Sequence, residues 1–171
     1  MFDPTAFDNM KVVIEGVLYD RDISGEIVIT DRNDLLNMAK MSRQFDVSIR
    51  LPHSSVIVKM ELKSDLHNLA AELLPNSLSD HHAGCYLNMQ FFLEHDVEID
   101  YQSIVKILRD IWGATRKISL SVHKKPLEPD KSIKTVITLV FDRLITEDQL
   151  DDLVEMTDFL VITLEKLNKA I

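Results

Sequence analysis

Apolar and polar positions alternate most plainly in the middle of the chain. Val47, Ile49 and Leu51 take turns with Ser48 and Arg50, and Val56, Val58, Met60 and Leu62 with Ile57, Lys59 and Glu61. A period of two is that of a half-buried strand, so these runs predict a hairpin that turns at Pro52 to Ser55. The period then changes. Leu66, Leu69, Ala70, Leu73 and Leu74 recur at helical spacing after Ser64, and Pro75 ends that helix.

Upstream, residues 11–19 are rich in β-branched side chains and read as a strand with Gly16 as a bulge. Asp31 stands four places before Leu35, where an N-cap would stand, and Leu35, Leu36, Met38, Ala39 and Phe45 give the expected helix an apolar side. Downstream, residues 86–94 read as a strand, Val97 and Ile99 continue it to Asp100, and Asp100 caps a helix. Setting Asp100 on Asp31 brings Ile104, Val105, Ile107 and Leu108 onto Leu35, Leu36, Met38 and Ala39. Ile118, Leu120 and Val122 alternate with serines, and Ile133 to Phe141 forms the partner strand.

Two halves with one β-α-β-β-α order are therefore expected, residues 1–75 and 86–171, joined by a connector at 76–85 and forming one compact unit. The expected fold class is α+β of the ferredoxin-like type, a largely antiparallel sheet with helices on one face. The last helix opens on a capping box, Thr146 with Gln149, and a staple of Ile145 on Leu150. Leu150, Leu153, Val154, Leu160, Val161, Leu164 and Leu167 form its main stripe, while Met156, Phe159 and Ile162 fall beside or opposite it. Either this helix lies between the halves and is covered on several sides, or those three residues meet a protein partner or a second copy in a homodimer.

Charge narrows the function. The 171 residues carry 19 basic and 28 acidic side chains, a net of −9, which speaks against nucleic acid and anionic membranes as partners. No basic leader and no apolar run of about 18 residues is present, so a cytoplasmic protein is expected. One cysteine excludes an internal disulfide.

Four clusters hold residue types suited to chemistry. Asp20, Asp22, Ser24, Gly25, Ile27 and Asp31 fall at positions 1, 3, 5, 6, 8 and 12 of a twelve-residue stretch that resembles the EF-hand calcium loop, with Asp for the usual Glu at position 12 and Val28 at position 9. The same residues also suit a plain turn. His81, His82 and Cys85 are soft-metal ligand types, with no second cluster to complete a zinc site. Glu94, Asp96, Glu98 and Asp100 would share one face in extended form, and that face reads as solvated, with Val97 and Ile99 inward. Arg116, Lys117, Lys124, Lys125, Lys131 and Lys134 make a basic island in an acidic chain, suited either to an anionic contact or to protecting a sheet edge.

None of these amounts to a catalytic motif, and no cofactor is called for. The expectation is a non-catalytic protein that acts by protein–protein interaction or self-association. A calcium- or small-ligand-responsive regulatory domain and an enzyme with a site assembled from scattered residues are the alternatives.

Overall fold

The computed structural model describes residues 5–74 and 80–171. Helix α1 (Ala6–Ile23) leads into strands β1 (Val28–Asn37), β2 (Ser42–Arg50) and β3 (Ile57–Ser64), then helix α2 (Leu66–Leu73). Strand β4 (Cys85–His95), helix α3 (Tyr101–Trp112), strands β5 (Lys117–Lys124) and β6 (Ile133–Ile145) and helix α4 (Leu150–Ala170) follow. The fold is α+β, and its strands form one six-stranded sheet in the order β1-β2-β3-β4-β6-β5. Every pairing is antiparallel.

Register gives the two faces of this sheet different roles. Phe45 stands opposite Leu62 and Leu62 opposite Leu87, while Val47, Met60, Met89 and Leu139 make the next row. These side chains are buried in a single core together with Met10, Ile14 and Leu18 of α1, Ile104 and Leu108 of α3, and Leu160 and Leu164 of α4. The opposite face carries rows such as Asn33, Asp46, Glu61 and Asn88, and its apolar members Ile57, Phe92 and Val136 do not belong to the core. Sheet and core both run across the connector, through the β3–β4 pair.

Helix α4 packs against both α1 and α3. That middle position explains its apolar residues on several sides, because a helix with helices on two flanks and a sheet beneath has little surface left for water. The capping box forms, with the Gln149 side chain accepting from the Thr146 amide at 3.3 Å, and it opens a 3-10 turn (Glu147–Gln149) that runs into α4. Trp112 is held between Phe141 and Phe159, edge to face on each, and its Nε1 donates to Thr163 Oγ1 at 3.0 Å.

Two expected elements are corrected. Residues 11–19 belong to α1: Phe7, Met10, Ile14 and Leu18 recur on one helical side and are buried, and Thr5 caps the start by accepting from the Asp8 amide. Burial of that stripe outweighs the strand preference of Val12, Val13, Ile14 and Val17, and Gly16 lies within the helix where an added Cβ would meet nothing. Residues 31–37 belong to β1, so Asp31 caps no helix, and Leu35 and Leu36 lie on opposite sides of an edge strand. The β-α-β-β-α order holds for residues 85–170, whereas residues 6–73 run α-β-β-β-α, so the shared order expected of 1–75 and 86–171 does not hold.

Candidate functional site

The residues singled out in the sequence are scattered by the fold. Asp20 and Asp22 lie in the last turn of α1, where their carbonyls accept from the Ser24 and Gly25 amides, and the Asp22 carboxylate accepts from the Ile29 amide at 3.1 Å. Gly25, at φ +80°, makes the turn out of the helix, Ile27 is buried and Asp31 lies in β1. The twelve-residue calcium loop is therefore not formed. Part of the connector, residues 75–79, lies outside the described residues. Cys85 points into the core, where burial and then the charge of Glu72 push its thiol up to about 12, while His81 and His82 are exposed. Among the described residues, no three His, Cys, Asp or Glu side chains are grouped as metal ligands would be.

The acidic run 94–100 does not share a face, because the extended chain ends at His95. That ring is buried between the Val97 carbonyl, 2.7 Å from Nδ1, and Thr135 Oγ1, 3.0 Å from Nε2. Val97, expected inward, is exposed, whereas Ile99 packs on the core. Asp100 caps α3 as expected, accepting from the Gln102 and Ser103 amides. Of the basic island, Arg116 lies 4.5 Å over the Phe141 ring and donates to the Trp112 carbonyl, while Lys117 and Lys125 pair with Asp142 and Glu128. On α4, Met156 is in the chain's own core, Phe159 is half-buried against Trp112, and Ile162 is exposed.

A different place stands out, the tip of the β1–β2 hairpin. Leu35 is 53% exposed, Leu36 61%, Met38 69% and Met41 45%, all within seven consecutive positions. The chain reverses there because Asn37 Oδ1 accepts from the Ala39 and Lys40 amides, each at 3.1 Å, and Met41 then adopts φ +50°. That left-handed conformation favours glycine and asparagine, since a Cβ crowds the following carbonyl.

Leu36 and Met41 form one lip of a cavity of about 200 Å³ whose wall is Phe7, Arg43 and Leu69 of α2. Leu35, Met38 and Lys40 border an open depression on the other side of the sheet edge, with Lys63 of β3. The tip thus presents apolar side chains to both sides of the sheet.

Charge below the tip is ordered. Arg43 pairs with Asp8 at 2.6 Å and with Asp34 at 3.0 Å, and Lys11 pairs with Asp34 at 2.6 Å, tying α1 to both strands. The Arg43 guanidinium, aided by Lys11, holds the Asp34 carboxyl down to about 2. Arg43 also lies 4.6 Å over the Phe7 ring. Asp65 is committed to α2, where its carboxylate accepts from the Asn68 amide at 3.1 Å. Lys40 and Lys63, both exposed, are in no ion pair among the described residues.

Comparison with known proteins finds no family model that matches the chain, no curated protein similar to it in sequence and no solved structure similar to it in fold. The Leu-Leu pair of the tip, expected on the buried side of a helix, is exposed on an edge strand instead, and no period of two in the run that also holds Asp31, Arg32 and Asp34 marks that strand.

Proposed function

We propose that this chain acts by binding another protein through the tip of the β1–β2 hairpin and the adjoining side of α2. The observation that carries the reading is the set of four large apolar side chains exposed together at one turn, two of which, Leu36 and Met41, line an apolar-walled cavity. Contiguous exposed apolar surface of this kind marks interaction sites, and methionine, flexible and polarizable, adapts to varied partners. The expected contact on α4 is the weaker surface, since Met156 is enclosed by the chain's own core and Phe159 is engaged by Trp112. The proposed setting is the cytoplasm. A single cysteine suits a reducing compartment, and no helix of the described residues is long and apolar enough to cross a membrane.

A photo-crosslinking amino acid placed at Met38 tests this in cells that make the chain, with the same amino acid at Leu127 as the control, since Leu127 is 98% exposed. Adducts to another protein are expected from position 38 and not from 127. Equal adducts from both positions, or none from either, would remove the reading.

A further inference from the structure

Resting on the proposed binding role, we infer that Glu72 is a proton-controlled latch behind the tip cavity, holding α2 against the start of α1 when neutral and releasing it when ionised. The inner wall of the cavity has two banks. Thr5 and Phe7 stand on the α1 side, and Ser64, Asp65 and Leu69 on the α2 side. Glu72 lies one helical turn beyond Leu69, and its Oε2 accepts from the Ala6 amide at 2.8 Å, between the two α1 residues of the wall. That bond joins the banks.

The other oxygen of the same carboxyl makes the joint sensitive to protons. Glu72 Oε1 is buried and has no hydrogen-bond partner among the described residues. A charged oxygen so placed is costly, because neither water nor a donor replaces the solvation it has lost. The neutral acid keeps an oxygen for the Ala6 amide and gives up the charge. Burial pushes the carboxyl above its ordinary 4.5, the Ala6 amide opposes this, and the charges of Glu147 and Asp8 add to the rise.

The groups on the neighbouring elements are committed elsewhere. Asp8 of α1 accepts from Thr5 Oγ1 and pairs with Arg43 of β2, which Asp34 of β1 also engages. Glu147, in the turn before α4, accepts from Asn9, and Cys85 of β4 faces the core. The His82 carbonyl, in the 3-10 turn Asp80–His82, accepts from the Asn68 side chain at 3.0 Å, and the rings of His81 and His82 are exposed. On α2 itself Asp65 caps the start and His67 is exposed. With eight residues, α2 is too short to persist as a helix undocked. The docked state holds a proton that the released state gives up, so docking is favoured at low pH and is lost as pH rises through the raised value. Release of α2 takes Leu69 from the cavity wall.

The test is hydrogen exchange on the full chain, read as protection of the α2 amides relative to their intrinsic rates, from pH 4.5, the ordinary value of the group, up to about pH 8. Protection in the unaltered chain is expected to fall several-fold as pH rises across that range. Glu72→Gln keeps an acceptor for the Ala6 amide and carries no charge, so its profile is expected to stay flat. Glu147→Gln changes an exposed side chain and is expected to make the fall shallower, which keeps the inference testable if Glu72→Gln does not fold. In lysate, adducts from the crosslinker at position 38 are expected to decline over the same range in the unaltered chain and not in Glu72→Gln.

A flat profile in the unaltered chain would overturn the inference, as would an equal fall in Glu72→Gln or a fall that Glu147→Gln leaves unchanged. Adducts from position 38 that ignore pH while α2 protection follows Glu72 would overturn it too, since α2 would then not govern the site. If position 38 gives no adducts at any pH, the binding role falls, and the exchange profiles still decide whether Glu72 holds α2.

Discussion

Two hairpins form the opposite edges of one sheet, and they differ at their tips. Strand β5 ends in His123 and Lys124, and its loop continues Lys125-Pro-Leu-Glu-Pro, so charge and proline deny a second chain access to the ladder. Strand β1 has its own protection, a register shift between Ile29 and Asp31 and the charges of Asp31, Arg32 and Asp34. Along their lengths both edges are blunted against pairing. At the turns, one places a single leucine among charges and prolines, while the other clusters Leu35, Leu36, Met38 and Met41. Edge protection explains the first tip and leaves the second unexplained, which is why side-chain contact, and not strand addition, is the mode of binding proposed for it.

The largest expected effect tests whether the two hairpins are rooted alike. Phe45, 1% exposed on β2 of the first, packs under α1 with the Lys11 ammonium 5.6 Å above its ring. Phe45→Ala is expected to cost about 3–5 kcal/mol in urea unfolding. Ile118, at the root of the second, is only partly buried, and Ile118→Ala is expected to cost roughly 1–2 kcal/mol because part of that methyl surface already meets water. Equal losses would show the hairpins equally anchored and confine the contrast to their turns.

This asymmetry of rooting also explains what the sequence made legible. Strands β3 and β4 are flanked on both sides by other strands, so one of their faces is buried and the other is not, and Val58, Met60, Leu62, Leu87 and Met89 write that alternation into the chain. The caps at Asp100 and Thr146 were equally legible because their partners lie within three residues. β1 has no such imprint. One of its faces is open, and on the other Arg32 and Asp34 meet Glu15 and Lys11 of α1, partners far off in sequence. With no buried row to mark a period of two, Leu35, Leu36, Met38 and Ala39 imitate a helix. In α1 the helical spacing of Phe7, Met10, Ile14 and Leu18 was present but masked by adjacent valines. The candidate site is hidden for the same reason, since a helical pattern places its leucines in a core.

A smaller effect comes from the charges beneath the first tip. The folded chain holds Asp34 at about 2, below its ordinary 3.8, so its contribution is present above 3.8 and is lost as pH falls toward 2. Asp34→Asn is expected to lower stability by at most about 1 kcal/mol near pH 6, since the pair is partly open to solvent, and the two proteins should converge near pH 2. Thermal melts across that range read the difference. On the second hairpin, Lys117 and Asp142 stand 3.5 Å apart with both side chains mostly in water, and Asp142→Asn is expected to leave the melt unchanged. A pH-independent loss in Asp34→Asn would mean that packing, and not ion pairing, ties α1 to the hairpin.

The smallest effect in stability is the most telling for the comparison. Leu127 is 98% exposed, so Leu127→Ser removes no buried surface and is expected to change stability by less than about 0.5 kcal/mol. Leu36→Ser, at 61% exposure, is expected to be nearly as mild, costing roughly 1 kcal/mol or less. What separates the two is binding. Leu36→Ser removes an apolar lip of the cavity and should reduce the adducts formed from the crosslinker at position 38 several-fold, whereas Leu127→Ser should leave them in place. Equal loss with both would mean that capture depends on any exposed leucine of the molecule, and the contrast between the hairpin tips would then say nothing about recognition.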